Sequence, residues 1–447
     1  MKHRFTLCLF SFLTYLSLQA QQEVTSDYLM GSWEGAFIKN NAYQKIEIDF
    51  TQRNGKIYSF QTMEEWHPSF GEFEVPVKID STGTIRVGTG YGMAILTLDK
   101  NNLELIGQLT GFNPSIYIHL KKVPFKPKPT YTVEPVSITS GEVTLAGHLH
   151  TPNLGEKKTA VILVGGRGCY PDDTQYSLYA KFLRKYGVSV LAYQKRGTGT
   201  STGDCSTATI QDLANDLVQV RKYVASHPNN YQNIGVLGIS AGGWTMAKAE
   251  ESTNFDFMIS IVGPSTSVKD QQFQSLEYGA EFYKLESEAK EHLTAYTHLT
   301  FEAEPTAKDF KKMMDLLAGA EKESWRGLLD DTDIPKDAAD IKNLWVRRHN
   351  YDPQATLAHY TQPFLAIYGD RDFIVPYKEN IALLETYFAD RPENLQTVVA
   401  FNAEHGMETE PKWVNLGNDQ SYWHFYRISP QVRIELANFL RKHALID

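Results

Sequence analysis

Residues 233–243 read Asn-Ile-Gly-Val-Leu-Gly-Ile-Ser-Ala-Gly-Gly, an apolar run that turns at a Gly-x-Ser-x-Gly and opens directly into a helical pattern. A strand that passes within one residue into a helix belongs to a βαβ unit, so this run alone demands a largely parallel sheet covered by helices. A serine projected from so sharp a turn needs small neighbours, which Gly238 and Gly242 supply. The turn also leaves the backbone N–H of Ala241 at a helix N-terminus, where developing negative charge is favoured. Ser240 is therefore the candidate nucleophile. The same pattern occurs at Gly199-Thr200-Ser201-Thr202-Gly203, but the preceding strand ends several residues earlier and no apolar helical pattern begins at Thr202, so Ser201 reads as a loop residue.

The grammar of the chain changes once. Over 24–122, short alternating runs such as Gly31 to Phe37, Gln44 to Phe50 and Leu103 to Leu109 are separated by turn residues including Asn54-Gly55, and this spacing predicts a small all-β sandwich or barrel. A stiff basic linker, 123–130, carries Pro124, Pro127 and Pro129. From 131 to 447, strands alternate with amphipathic helices. Thr132 to Ile138 and Val143 to His150 predict a leading hairpin, and Ala160 to Val164 and Val188 to Tyr193 are continuous apolar runs of the kind buried parallel strands require. Helices are predicted over Thr174 to Tyr186 and about Ile210 to Ser226, with a last one starting at Ser429-Pro430. Between the strands ending near Val262 and starting at Phe364, a stretch of about 265–360 rich in Glu, Lys, Ala and Leu reads as an inserted helical cap.

At the start, Lys2, His3 and Arg4 precede an apolar stretch from Phe5 to Leu18, a pattern that predicts a signal peptide over 1–20 and an exported protein, periplasmic or extracellular. Cys8 lies inside the apolar stretch, the wrong place for a lipid-anchored cysteine, and no stable membrane insertion is expected. Loss of Lys2 and Arg4 takes the formal net charge from −9 to −11, since 1–20 holds no acid. Such a chain is repelled by phosphate backbones, which argues against nucleic acid as a partner. The oligomeric state is open. Cys169 and Cys205 would survive processing, either as one disulfide or as two thiols; geometry decides between them.

A serine hydroxyl needs a base to take its proton, usually a histidine oriented by a buried carboxylate. Phe364 to Gly369 is a buried-strand pattern leading into Asp370-Arg371-Asp372, and Phe401 leads into His405-Gly406. The order Ser240, Asp372, His405 then supplies nucleophile, acid and base. The acid could be Asp370 or Asp372; Asp372 is preferred because the hydrolases that this arrangement resembles commonly place the acid three residues beyond a glycine at the strand end and just before an apolar-Pro segment, here Ile374-Val375-Pro376, and Asp370 would then cap or brace the loop. The turn Gly165-Gly166-Arg167-Gly168 after the third strand of the sheet is the candidate second wall of an oxyanion hole, with Gly166 allowing close approach, Arg167 donating its N–H beside that of Ala241, and the Arg167 side chain free to meet a substrate carboxylate. His148 and His150 alternate in a strand without an acid or Cys cluster at ligand spacing, so no metal site is assigned.

These motifs, together with Arg196-Gly197-Thr198-Gly199-Thr200-Ser201-Thr202-Gly203-Asp204, resemble the secreted α/β-hydrolases of the serine esterase and serine aminopeptidase-like group over about Tyr131 to Asp447. The resemblance implies an α/β-hydrolase fold with a mostly parallel sheet and a cap. It also implies a structural role for the Arg-Gly-x-Gly-x-Ser run, and acyl transfer without a cofactor. Gly165 stands where relatives often have His, and Gln194 where they often have Asp; neither position is catalytic. The expected activity is hydrolysis of carboxylic esters of small molecules through an acyl-enzyme on Ser240. A serine aminopeptidase or amidase with the same residues is the alternative within the class, and a non-catalytic lipid- or glycan-binding protein the alternative outside it.

Overall fold

A computed structural model of the chain describes residues 26–39, 42–63, 72–90, 92–113, 115–124, 130–153, 155, 158–409 and 427–447. The expected signal peptide with Cys8, and residues 125–129 of the expected linker, lie outside the described residues. The chain forms two compact units, one holding the eight strands before residue 130 and the other the eight sheet strands from 131 to 400.

The first unit settles the choice between sandwich and barrel. Strands β1 (Gly31–Lys39), β2 (Ala42–Arg53), β3 (Lys56–Met63), β4 (Glu72–Ile79), β5 (Ile85–Val87), β6 (Ala94–Asp99), β7 (Glu104–Leu109) and β8 (Tyr117–Lys122) run as an antiparallel meander. It closes where β8 pairs with β1, Gly35 opposite Leu120 and Phe37 opposite Ile118. Most inward positions are apolar, with Trp33, Ile46, Ile85, Leu96, Leu105 and Leu120 fully buried. Closure removes the sheet edges that a chain would otherwise have to protect.

The second unit is built on an eight-stranded sheet in the order β16-β15-β14-β13-β11-β12-β10-β9. Its members are β9 (Tyr131–Ser140), β10 (Val143–Pro152), β11 (Thr159–Val164), β12 (Ser189–Tyr193), β13 (Asn233–Ile239), β14 (Met258–Ile261), β15 (Phe364–Gly369) and β16 (Leu395–Ala400). β9 and β10 form the antiparallel hairpin at one edge, and the six strands from β12 to β16 pair in parallel. β11, β12, β14 and β15 are buried along their whole length, which explains their unbroken apolar sequences.

The helices follow the sequence signals with one shift. Helix Ile210–Ala225 starts at a reciprocal cap between Thr209 and Asp212, and helix Pro430–Lys442 starts with the Ser429 hydroxyl accepting from the Gln431 N–H. The helix expected from Thr174 begins only at Leu178. Thr174 is committed elsewhere, its hydroxyl bonded to His148 Nδ1 and its carbonyl accepting from His150 Nε2. The insertion between β14 and β15 is helical, with helices Val268–Phe282, Ser287–Thr300 and Ala307–Ala320 followed by short turns. Trp244, Leu293, Tyr296, Trp325 and Val346 share its apolar core. Among the described residues no helix is long and apolar enough to cross a membrane.

Candidate active site

Ser240 follows the last residue of β13 and holds φ 52°, a left-handed backbone that costs a serine about 1–3 kcal/mol. The turn is pinned on both sides. The Ser240 N–H donates to the Ile261 carbonyl at 2.9 Å, and the Ser240 carbonyl accepts from Gly243 N–H at 2.8 Å. The glycines of the motif are steric necessities: a methyl on Gly238 would meet the Gly242 backbone at 2.7 Å, and one on Gly242 would meet the Val164 carbonyl oxygen at 2.5 Å.

Two loops bring the other residues to the same rim of the sheet. Beyond β15, Asp372 is fully buried at its carboxyl group, where Oδ1 accepts from Ile374 N–H (2.8 Å) and Val375 N–H (2.9 Å). Beyond β16, His405 places Nδ1 2.8 Å from Asp372 Oδ2 and Nε2 2.9 Å from Ser240 Oγ. With the carboxylate as acceptor, Nδ1 carries the proton and Nε2 is left to accept from the serine hydroxyl. Asp370 is exposed and takes a different part, its Oδ1 accepting from Ala403 N–H (3.2 Å) while Arg371 N–H donates to the Ala403 carbonyl (3.0 Å). These bonds tie the acid-bearing loop to the histidine-bearing loop.

The turn after β11 forms the facing wall. A methyl on Gly166 would lie 3.1 Å from Ser240 Cβ and 3.6 Å from its Oγ, so the glycine backbone lies directly against the serine. Among the described residues, the N–H groups of Ala241 and Arg167 donate to no protein acceptor. Ala241 directly follows Ser240, and Arg167 directly follows the Gly166 that lies against it.

Sequence reasoning missed what holds this turn. Lys195, nine-tenths buried, donates from Nζ to the Gly166 (2.7 Å) and Gly168 (2.5 Å) carbonyls, and burial lowers its pKa against the opposing pull of Asp172. Asp172 itself is pushed upward by burial. A disulfide between Cys169 and Cys205 links the loops after β11 and β12, resolving the question the sequence left open. The run after β12 is structural: Ser201 Oγ donates to the Gln194 carbonyl and accepts from Ala146 N–H, both at 2.9 Å. Gln194 Oε1 accepts from Thr200 N–H (2.9 Å), so the amide at this position still braces the loop. Arg196 grips the buried Asp216 in a two-point pair at 2.7 and 2.8 Å.

One expectation is corrected. The Arg167 side chain does not wait for a substrate carboxylate. It pairs with the buried Asp333 of the insertion (2.8 Å), donates to Thr332 Oγ1 (2.6 Å) and lies over the Trp345 ring at 4.4 Å. Asp333 is 166 residues away and carries no local sequence signal, so the pair was not readable beforehand.

A cleft beside Ala241 and Gly166 is lined by Val164, Tyr193, Ile210, Leu213, Trp244 and Trp345. His349 closes it, stacked on Trp345 at 4.3 Å with Nδ1 bonded to the Trp345 carbonyl; burial lowers its pKa to about 4. The cleft is mainly apolar, and its one acid, Asp216, is occupied by Arg196.

Residues 155–316 match a family model described as serine aminopeptidase, S33. No curated protein sequence matches the chain. Solved structures similar to it include the Pyrococcus furiosus esterase Pf2001, at 18% identity over 72% of this chain and 96% of that one with a TM-score of 0.43. Est1E from Butyrivibrio proteoclasticus, solved with ferulic acid bound, shares 16% identity over 69% and 99% with a TM-score of 0.41. A proline iminopeptidase from Mycobacterium smegmatis shares 17% over 70% and 99% with a TM-score of 0.43. With the strand order, the strained serine turn and the family match in agreement, the second unit of this chain has an α/β-hydrolase fold and is similar over residues 155–316 to the serine aminopeptidase, S33 family.

Proposed function

We propose that the chain hydrolyses carboxylic esters of small molecules through an acyl-enzyme on Ser240. The observation that carries this reading is the single imidazole hydrogen-bonded at 2.9 Å to Ser240 and at 2.8 Å to Asp372. In the first step His405 Nε2 takes the Ser240 proton as Oγ attacks the ester carbon. The Ala241 and Arg167 N–H groups receive the oxyanion, and the proton returns through Nε2 to the departing alcohol. Water, deprotonated by the same nitrogen, then releases the acid and restores the serine. Asp372 holds the imidazole in the required tautomer and balances its transient charge. Gly166, Gly238 and Gly242 supply the space this needs.

An ester is favoured over a peptide amine because two acids near the cleft are already engaged, Asp216 by Arg196 and Asp333 by Arg167, and a third, Asp172, faces the buried Lys195. Export to an oxidising compartment is part of the proposal, supported by the Cys169–Cys205 disulfide. The test is a panel of p-nitrophenyl esters and aminoacyl anilides with wild type and Ser240→Ala. Ester turnover lost in Ser240→Ala supports the reading. Anilide turnover exceeding ester turnover overturns the substrate class, and no turnover of either by folded protein favours a binding role.

A further inference from the structure

The eight-stranded barrel is not filled along its whole length. Trp33, Ile85, Leu96, Leu105 and Leu120 pack one part of its interior completely. Around Val75, Val87 and Ala94 the side chains are short, and a cavity of about 330 Å³ remains, walled also by Phe37, Met63 and Ile118. Small closed barrels of this strand number are either plugged by their own side chains or sized to hold one small molecule. An open apolar pocket of this size leaves its lining against water, and an apolar occupant would remove that surface from water.

Among the described residues no charged side chain lines this cavity. Among the described residues its lining carries only two hydrogen-bonding side chains, Gln61 and Thr89. Gln61, nine-tenths buried, uses one N–H on Ser59 Oγ (3.2 Å), which leaves its carbonyl oxygen and second N–H without a partner among the described residues. Gln44, also buried, lies opposite the cavity-lining Phe37, four residues along β2 from the Ile48 that faces Gln61, and its Oε1 accepts no hydrogen bond among the described residues. A sugar would bring more hydroxyls than these groups can satisfy, and a carboxylate or phosphate would meet no counter-charge among the described lining residues. Met63 and Met93 provide adaptable apolar contact.

We infer that the barrel is a binding site for one neutral, mostly hydrocarbon molecule carrying a single hydroxyl or ester carbonyl, its polar group bonded to Gln61 and its chain lying along Val75, Val87, Ala94 and Ile118. The site lies wholly within the first unit and does not depend on the esterase reading.

The test uses the full chain and the neutral fluorophore N-phenyl-1-naphthylamine, displaced by 1-dodecanol, methyl dodecanoate or maltose. The expected result is saturable fluorescence that falls with the alcohol and the ester and is unmoved by maltose. Ala94→Trp and Val87→Phe, each chosen to fill the void, weaken probe binding at least about tenfold, while p-nitrophenyl acetate turnover stays as in wild type. Circular dichroism identifies which of the two variants has folded. Unsaturable fluorescence with wild type overturns the inference, and so does unchanged probe affinity in a folded filled variant. Loss of turnover in wild type with retained probe binding counts against the esterase reading alone.

Discussion

Gly166 lies so close to Ser240 that a single added methyl would stand 3.1 Å from the serine Cβ, tighter than ordinary packing tolerates. Gly166→Ala must therefore push the turn after β11 away from the serine, and with it the Arg167 N–H. Loss of one oxyanion donor costs about 10²–10³ in kcat, and a displaced donor falls short of that. We expect kcat for p-nitrophenyl acetate to drop about tenfold to a hundredfold with an unchanged Tm. Wild-type kcat in Gly166→Ala contradicts this placement of the wall.

The two acids beyond β15 have different surroundings and should respond differently. Asp372→Asn replaces the acceptor of His405 Nδ1 and favours the wrong tautomer, a change that lowers kcat about 10⁴-fold in a comparable arrangement. Asp370→Asn keeps an oxygen able to accept from Ala403 N–H, and kcat should stay within about threefold, as for a surface hydrogen bond worth well under 1 kcal/mol. Steady-state kinetics on both variants decides; equal losses would mean that Asp370 shares the role.

Arg167 joins the turn to the insertion through Asp333, whose side chain is 2% exposed. Arg167→Ala strands that buried acid, which costs about 3–5 kcal/mol for a broken buried pair. The double variant Arg167→Met with Asp333→Leu should regain most of it in thermal melts. Because residue 167 is proposed to act through its backbone N–H, which any side chain leaves in place, turnover of neutral and anionic esters should change by the same factor in Arg167→Ala. A selective loss for anionic esters would restore the side chain as a substrate contact.

Glu250, at the end of helix Gly242–Glu250, accepts from Phe255 N–H at 2.9 Å, and burial raises its pKa to about 7. The folded chain therefore holds this proton where the unfolded chain releases it. The resulting stability is fully present below the ordinary glutamate range and is lost as pH rises through about 7. Glu250→Gln, a mimic of the protonated form, should melt like wild type at acid pH and several degrees above it at pH ~8. Parallel melting curves across that range would contradict the assignment.

Removal of the Cys169–Cys205 link, by Cys169→Ser with Cys205→Ser, opens a 36-residue loop. Loop entropy sets the stability loss at about 2–4 kcal/mol. Calorimetry with and without reductant should show wild type shifting to the Tm of the double variant, and a Tm insensitive to both changes would show that the link does not constrain the unfolded chain.

The fold class was legible because the elements obey period rules: alternation in the first unit, continuous apolar runs in β11, β12 and β15, and a strand passing straight into a helix at Ser240. Closure of the barrel was not, since it rests on β8 meeting β1, a pairing that alternation cannot encode. At the candidate site, Ser240, Asp372 and His405 announced themselves through glycines and strand ends. Lys195, Asp333 and Trp345 did not, because each acts through a contact made across long sequence separation. The Arg167 side chain was misassigned for the same reason: a cation in a glycine turn looks free until its partner is found.

Ser240 Oγ is proposed to be a nucleophile driven by His405. Intact-mass and peptide mass spectrometry after treatment with a fluorophosphonate tests it most directly. The account predicts one adduct per chain, located on Ser240, absent in Ser240→Ala and slowed by orders of magnitude in His405→Ala. Folded protein that remains unlabelled, or carries its adduct on another serine such as Ser201, would contradict it.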